Sequence, residues 1–440
     1  MTESALDRVL SRVVAVRPGE TRALLWSFAY FFCLLAGYYV LRPVRDEMGL
    51  ASGIKNLPWL FTATFVVMLA VVPIYGALVA RLPRQRFIPL VYHFFVANII
   101  IFWVLLTQHM VIAYTAQVFF VWISVFNLFA VSVFWSFMAD LYGSEQGKRL
   151  FGFIAAGGSA GALLGPTIAA TLAETIGRAN LLIIAALLLE CAVFCAMRLE
   201  SAAAAFKADR TAGAADTTVK PDAALGGSWI AGILMIVRSP YLAGIALWVA
   251  MLSLAGTFLY FQQANIVSAL TDDPNKRTAI FARIDLAVSL LTIVVQFLAT
   301  GKLIKRFGAG PATAFLPLVF AIGFTALWAT PMLWVVIAFQ AAQRAANFAI
   351  SNPAREVLFT VVDREEKYKA KNVIDNVVFR GSDALFGWLF TALRGAGMEL
   401  GAISLATVPV TAAWLSLALT LGRMQEKRAA AAATPSENNT

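Results

Sequence analysis

The sequence predicts an all-α membrane protein with twelve transmembrane helices in two groups of six, and three observations support this. Of the 440 residues, 60% are hydrophobic and 14% are charged, which leaves too little polar surface to cover a soluble protein. The apolar residues occur in runs of about 20, the length that crosses a bilayer as a helix. One polar segment divides these runs into two equal groups. A soluble enzyme is therefore excluded.

Charged residues, Pro and Gly mark the ends of the apolar runs and so define the predicted domains. An amphipathic cytoplasmic segment, residues 1–22, precedes a six-helix bundle at 23–197 and a cytoplasmic linker at 198–228. A second bundle at 229–424 and a disordered tail at 425–440 follow. The predicted spans are residues 23–41, 58–80, 87–107, 111–139, 149–175, 179–197, 241–262, 279–300, 309–330, 332–358, 371–393 and 399–422.

The distribution of positive charge predicts the orientation. Of the 35 Lys and Arg residues, 24 lie at the termini, in the linker or in alternate loops, and the opposite loops hold 7. Because positive residues accumulate on the cytoplasmic side, both termini should be cytoplasmic. The net charge of +10 thus reflects orientation and predicts lipid rather than nucleic acid as the neighbour.

The two halves of the sequence show a weak internal repeat. A shift of 222 residues places Arg149 and Gly165 on Lys371 and Gly387. Two parallel six-helix halves joined by a central cytoplasmic linker are typical of major-facilitator-type carriers, which bind substrate between the halves near the membrane midplane. We expect such a carrier to act as a monomer.

Small residues in the fifth predicted span lie on one helical face. Gly158, Gly161 and Gly165 recur at intervals of three and four, with Pro166 beside them. This pattern allows a second helix to approach closely. Tight packing and a role in gating are both compatible with it.

Charged residues at the end of the first span form the first candidate site. Arg42, Arg45, Asp46 and Glu47 occur within YYVLRPVRDEMG, where Pro43 predicts the end of the helix. Arg42 and Asp46 are one turn apart and can pair. Two arginines on the sparsely basic side suit an anionic ligand, so Arg42, Arg45 and Asp46 are substrate-binding candidates. The alternative is a collar at the lipid headgroups.

Three further charges inside predicted spans are candidates for coupling or ion pairing. Glu190 has no cation near it in sequence, so it requires a partner on another helix or a proton. A position close to the cytoplasmic interface is the alternative for this residue. Arg283 and Asp285 are two positions apart on one helix, and such residues do not face each other, so we expect separate partners.

The densest polar region is 340–387, where charged and amide side chains interrupt two apolar spans. On the eleventh span Asn376, Arg380 and Asp383 recur at intervals of three and four and so share a face. This stripe either lines a substrate cavity or forms an interhelical ion-pair network. The substrate-binding candidates here are Arg344, Asn347, Asn376, Arg380 and Asp383, and the coupling or ion-pair candidates are Lys371 and Asp375.

Catalytic and metal chemistry find no support in the sequence. Cys33, Cys191 and Cys195 lie in apolar runs without metal-ligand spacing, and His93 and His109 are the only histidines. The segment GSEQGKR lacks the spacing of a phosphate-binding loop. We therefore predict no catalytic residue, no metal and no cofactor.

Three segments carry a family resemblance. YYVLRPVRDEMG at 38–49, FWSFMADLYGSEQGKRLFG at 134–152 and SNPAREVLFTVVDREEKYKAKNVIDNVVFRGSDALFG at 351–387 resemble, in the same order, segments of the ATP/ADP translocases. These nucleotide exchangers of plastids and energy-parasitic bacteria are structurally related to major-facilitator carriers. The three segments cover about a sixth of the chain.

Residue by residue, the resemblance gives agreements and departures. It implies that Arg45 stands at a Lys implicated in nucleotide transport, and it matches Arg42, Asp46, Lys371, Ile374, Asp375 and Arg380 to the family pattern. A second functional Lys of the family falls on Asp383, which reverses the charge. The family's acidic residue in the seventh span falls near Gln262 or Gln263, and that in the fourth has Asn127 as its nearest polar match.

The resemblance implies a divergent bacterial relative of these exchangers in the inner membrane. We expect a secondary transporter that works by alternating access and moves a nucleotide or another anionic metabolite. Proton-coupled transport of a smaller metabolite or drug, with Glu190 or Asp383 as the proton site, is the first alternative. A scaffold or sensor that keeps a carrier fold without transport is the second.

Overall fold

A computed structural model describes residues 14–17, 19–81, 84–108, 112–211, 229–307 and 309–433. Within these residues the secondary structure is helical, without a β-strand. The α-helices are α1 (Thr21–Ala51), α2 (Leu57–Arg81), α3 (Arg84–Thr107), α4 (Ile112–Leu141), α5 (Ser144–Ile176), α6 (Arg178–Thr211), α7 (Trp229–Arg238), α8 (Pro240–Leu270), α9 (Pro274–Phe307), α10 (Ala309–Ala329), α11 (Leu333–Ala346), α12 (Asn352–Leu358), α13 (Arg364–Asn372), α14 (Phe379–Gly395) and α15 (Leu400–Ala433).

Eleven helical segments in the described residues are long and apolar enough to span a membrane, which agrees with eleven of the twelve predicted spans. The predicted span at 371–393 is assembled from shorter pieces. Helix α13 runs into a π-helical segment, Val373–Val378, which continues as α14. A second π-helical segment, Asn347–Ser351, joins α11 to α12. Both interruptions coincide with the polar region at 340–387.

Three predicted helix boundaries differ from the structure. Pro43 does not end the first helix but lies inside α1, which continues to Ala51. Helix α6 extends to Thr211 through the start of the predicted linker, and α15 extends to Ala433 through most of the predicted disordered tail. Both extensions are rich in Ala, the residue with the highest helix propensity. The predicted surface helix near the N-terminus lies mostly outside the described residues, as does the linker at 212–228.

The chain forms two compact units whose boundaries differ from the predicted halves. The first unit contains residues up to Gly53, from Val66 to Lys220 and from Asp273 to Leu286. The second contains Ile54–Phe65, Pro221–Asp272 and the residues from Ala287 onward. The start of α9 thus belongs to the first unit, where Ala279 and Ala282 join the buried core. The start of α2 belongs to the second unit.

Helix α1 is the centre of the first unit and packs against α4, α5 and α6. The ring of Phe31 stacks on Phe134 at 4.1 Å between centroids, and the Tyr30 hydroxyl donates to that of Tyr92. On α5 the predicted glycine face contacts α1. A methyl group added at Gly161 would lie 2.3 Å from the Phe32 carbonyl oxygen. The sequence pattern therefore reports close packing of two helices.

Helix α8 has the corresponding place in the second unit, where it packs against α14 and α15. The fully buried indoles of Trp248 and Trp414 meet at 5.5 Å, and Phe261 packs against Phe390. A methyl group at Gly387 would lie 3.3 Å from the Phe261 ring. Gly165 faces α1 in the first unit as Gly387 faces α8 in the second, which supports the predicted repeat.

A buried carboxylate holds the residues before α1 against α5. Glu20 is 2% exposed and accepts hydrogen bonds from the Gln146 amide and the Arg149 guanidinium. The backbone N–H of Arg17 also donates to it. Burial disfavours the charged form, but the hydrogen bonds from Arg149, Arg17 and Gln146 outweigh this effect and lower the pKa of Glu20 below its ordinary value.

We expect Gly161→Ala to destabilise the protein, because the new methyl group has to displace the backbone of α1. Overpacking of this kind costs about 1–3 kcal/mol. Gly152→Ala, on the same helix with no heavy atom within 4 Å of the added group, is the matched control. Thermal unfolding of the purified variants measures the difference. Equal midpoints for the two variants would contradict close packing at Gly161.

We also expect Glu20 to make stability depend on acidic pH. A carboxyl group whose pKa is lower in the folded state stabilises that state above its unfolded pKa of about 4.3. This contribution disappears as the pH falls through the folded-state pKa. The unfolding midpoint of Glu20→Gln should accordingly lie below that of the wild type at neutral pH, and the gap should narrow in acid. If the difference between the two unfolding midpoints does not change with pH, ionisation of Glu20 does not contribute to stability.

Candidate functional site

The arginines at the end of α1 lie beside carboxylates in the first unit. Arg42 Nη1 is 3.4 Å from Asp285 Oδ1 on α9, and its guanidinium lies 5.7 Å from the centre of the Tyr39 ring. Arg45 Nη2 is 2.5 Å from Asp46 Oδ1, and its guanidinium lies over the Phe120 ring. The recorded ion pair of Arg42 is therefore with another helix, although the sequence also allows it to pair with Asp46.

Two further ion pairs connect helices of the first unit. Glu47, which is fully buried, pairs with Arg178 at the start of α6. Arg283 lies 3.0 Å from Glu174 on α5. Arg283 and Asp285 thus have separate partners, as their spacing predicts. Sequence reasoning missed the Glu47 pair, because Arg178 belongs to a loop in the sequence pattern.

Glu190 has its partner on a neighbouring helix. Its carboxylate lies 3.4 Å from Nε2 of His93 on α3. His93 Nδ1 lies 2.7 Å from the Pro89 carbonyl oxygen, which favours the tautomer that donates from Nδ1 and leaves Nε2 facing the carboxyl group. Both side chains are about half exposed. The expected cross-helix partner of Glu190 is therefore a histidine.

In the second unit, two ion pairs connect the region around α12 with α13 and the π-helical segment that follows it. Arg355 Nη1 lies 3.1 Å from Asp375 Oδ1, and Lys371 Nζ lies 2.6 Å from Glu356. These two pairs fit the ion-pair interpretation of the polar stripe. Asn376 donates to Asn372 one turn earlier.

Arg380 and Asp383 on α14 form a different arrangement. Asp383 is buried, and its Oδ1 accepts hydrogen bonds from the hydroxyl groups of Ser253 at 2.6 Å and Thr257 at 3.3 Å, both on α8. Arg380 Nη1 lies 3.4 Å from the other oxygen, Oδ2. Sequence reasoning missed the two hydroxyls, although their spacing of four places them on one helix face.

Buried amide side chains on α8 and α11 form a chain of hydrogen bonds, and the remaining candidates, Arg344 and Asn347, follow those on α11 in sequence. Gln340 donates to Gln263 at 2.6 Å, and Gln343 donates to Gln340 at 3.0 Å. Arg344, half-buried, follows this amide chain, and the Oδ1 atom of Asn347 is buried without a hydrogen-bond partner among the described residues. Gln340 and Gln343 were missed because amides in an apolar span carry no charge signal.

Within the described residues, no group of three His, Cys, Asp or Glu side chains could hold a metal ion. The chemistry available to the clusters is the binding of anions by fixed guanidinium groups and the exchange of protons or ion-pair partners by carboxylates.

Comparison with known proteins extends the resemblance over the whole chain. The chain is 21% identical to ADP,ATP carrier protein 1 of Chlamydia trachomatis, over 96% of this chain and 92% of that protein. The identity and both coverages are the same for ADP,ATP carrier protein 1 of Chlamydia muridarum. No protein-family profile matches the chain.

A solved structure has a similar fold. The crystal structure of a bacterial homologue of the human lysosomal transporter Spinster, in an inward-facing and unoccupied conformation, covers 93% of this chain with a TM-score of 0.55 at 14% identity. The likeness shows that the two proteins share a fold, which agrees with the predicted major-facilitator-type arrangement. The predicted fold class and the resemblance are thus confirmed, and the chain is a multi-pass membrane transporter that resembles nucleotide exchangers.

We expect the Arg42 and Asp285 pair to stabilise the protein through mutual neutralisation. Asp285 is 3% exposed and Arg42 15%, so either single neutralisation removes the ion-pair partner of a buried charge, at about 3–5 kcal/mol. Arg42→Gln with Asp285→Asn should recover much of the loss. The half-exposed pair of Arg283 and Glu174 is the control, with an expected coupling of about 0–1 kcal/mol. A double-mutant cycle on unfolding measures both, and equal couplings would contradict this assignment.

Proposed function

We propose that the protein moves a nucleotide or another anionic metabolite across a bacterial inner membrane by alternating access, as a monomer with both termini cytoplasmic. The observation that carries the proposal is the similarity to ADP,ATP carriers over nearly the full length of both chains. Those relatives are named for nucleotide carriage, and a nucleotide requires fixed cations because its phosphate oxygens accept charge-assisted hydrogen bonds.

The candidate cations are Arg42, Arg45, Arg344 and Arg380, and the other candidate substrate-binding residues are Asp46, Asn347, Asn376 and Asp383. Arginine suits phosphate because its planar guanidinium presents several donors in a fixed geometry. The Arg380 side chain is more accessible than those of Arg42 and Arg45: 36% of it is exposed, against 15% and 16%. We therefore assign the first contact with a soluble anion to Arg380.

A non-transporting scaffold is the competing function that the ion pairs favour. Arg355 pairs with Asp375, and Lys371 pairs with Glu356. Such pairs are expected if the polar stripe only holds helices together. The two functions predict different results in a transport assay, because only a transporter moves an anion across the membrane. A folded, reconstituted protein that moves no anion under any gradient supports the scaffold.

The decisive experiment is exchange in proteoliposomes. Vesicles that contain the full-length protein are loaded with ADP and offered labelled ATP, with inorganic phosphate and smaller organic anions as further pairs. Uptake that depends on the internal anion supports the proposal. Absence of uptake for every pair, with protein that unfolds cooperatively on heating, overturns it.

We expect Arg380→Gln to reduce anion uptake about 10- to 100-fold, because a charge-assisted hydrogen bond contributes about 1.5–3 kcal/mol. Arg394→Gln is the matched control, since Arg394 is exposed on the same helix and donates to the Met398 carbonyl. Uptake rates are compared at equal amounts of reconstituted protein. If both variants lose uptake equally, Arg380 is not a substrate contact.

A further inference from the structure

The Asp383 carboxyl group has two oxygens with different surroundings. Oδ1 is held by the hydroxyl groups of Ser253 and Thr257 on α8. Oδ2 has one recorded partner, the Arg380 guanidinium, at 3.4 Å and through a single nitrogen. Oδ1 is thus fixed by two neutral donors, whereas Oδ2 has a single long contact with the cation of Arg380.

Few charges act on this carboxyl group. Helix α8, which supplies both hydroxyls, contains no Asp, Glu, Lys, Arg or His, and the first charged residue of α15 is Arg423, far along that helix. In the adjoining π-helical segment, Asp375 pairs with Arg355. Among the described residues, Arg380 is therefore the only charged side chain within ion-pair distance of Asp383.

The internal repeat argues against a purely structural role. A shift of 222 residues places Arg380 on Gly158 and Asp383 on Gly161. Those glycines let α5 pack directly against α1 in the first unit. In the first unit the corresponding two helices thus pack without any polar side chain at these positions. The ion pair of Arg380 and Asp383 in an apolar span therefore requires an explanation other than helix packing.

The two partners also differ in accessibility. The Arg380 side chain is 36% exposed, whereas that of Asp383 is 12% exposed. An anion can reach the guanidinium while the carboxylate stays shielded. If Arg380 turns to an anion, Asp383 loses its only counter-charge, and an isolated carboxylate in an apolar environment takes up a proton.

We propose that Asp383, held by Ser253 and Thr257, is a proton-binding site, and that Arg380 changes partner between this carboxylate and the transported anion. Binding of the anion and protonation of Oδ2 then occur together. The proton then offsets one of the negative charges that enter with the anion. This inference rests on the proposed function and adds proton coupling to it.

The proton linkage is tested by calorimetry on the full-length protein in detergent. ATP, ADP and inorganic phosphate are titrated in buffers of different ionisation enthalpy, which reports the protons taken up for each anion bound. We expect uptake of up to one proton, and by reciprocity an anion affinity that rises by up to about tenfold for each unit of falling pH. Asp383→Asn should abolish the uptake, and Glu399→Gln, an exposed carboxylate, should keep it. Binding without proton uptake overturns the proposal.

A second measurement needs no anion. Arg380→Gln removes the counter-charge as a bound anion would, so the infrared band of the protonated carboxyl group should persist to higher pH than in the wild type and be absent from Asp383→Asn. An unshifted band in Arg380→Gln overturns the proton site. If no anion binds but the band shifts, the anion-transport proposal fails while the proton site stands.

Discussion

The poor solvation of charge in an apolar medium is the constraint on which this structure depends. An ionisable group at membrane depth costs about 2.5–3.5 kcal/mol on insertion scales, so it requires a partner. Accordingly, Arg42, Glu47, Arg355 and Asp383 each lie beside an opposite charge. The pairs of Arg42, Glu47 and Arg355 connect different helical segments. Under the proposed function, an anion has to compete with a carboxylate for Arg42 or Arg380.

Composition and periodicity were sufficient to predict the fold, because apolar runs and their separators are local properties of the chain. The glycine face of α5 was also readable, since Gly158, Gly161 and Gly165 have helical spacing. The effect of Pro43 on the helix was not predicted correctly. Its missing N–H predicts an end to the helix, yet within a bundle neighbouring helices support the interrupted turn and α1 continues.

The spacing of residues on one helix predicted that Arg380 can pair with Asp383, but it did not predict the partners that lie on other helices. Charge in an apolar run marks a residue as important, but the partners of Arg42 and Glu190 lie 243 and 97 positions away, and a single sequence does not encode that proximity. Neutral participants were missed altogether. Ser253, Thr257 and Gln340 look ordinary in a membrane span, and only the carboxylate or amide opposite them gives them significance.

The π-helical segment Val373–Val378 affects how the residues before and after it are oriented relative to each other. A π-helical turn accommodates one residue more than an α-helical turn, and each residue of an α-helix corresponds to a rotation of about 100°. Deletion of one residue here would restore a regular helix and leave Lys371 and Arg380 in nearly the same relative orientation, because the π-helical turn absorbs the extra residue. The segment therefore lets one additional residue lie between the ion pairs on either side of it without rotating them relative to each other.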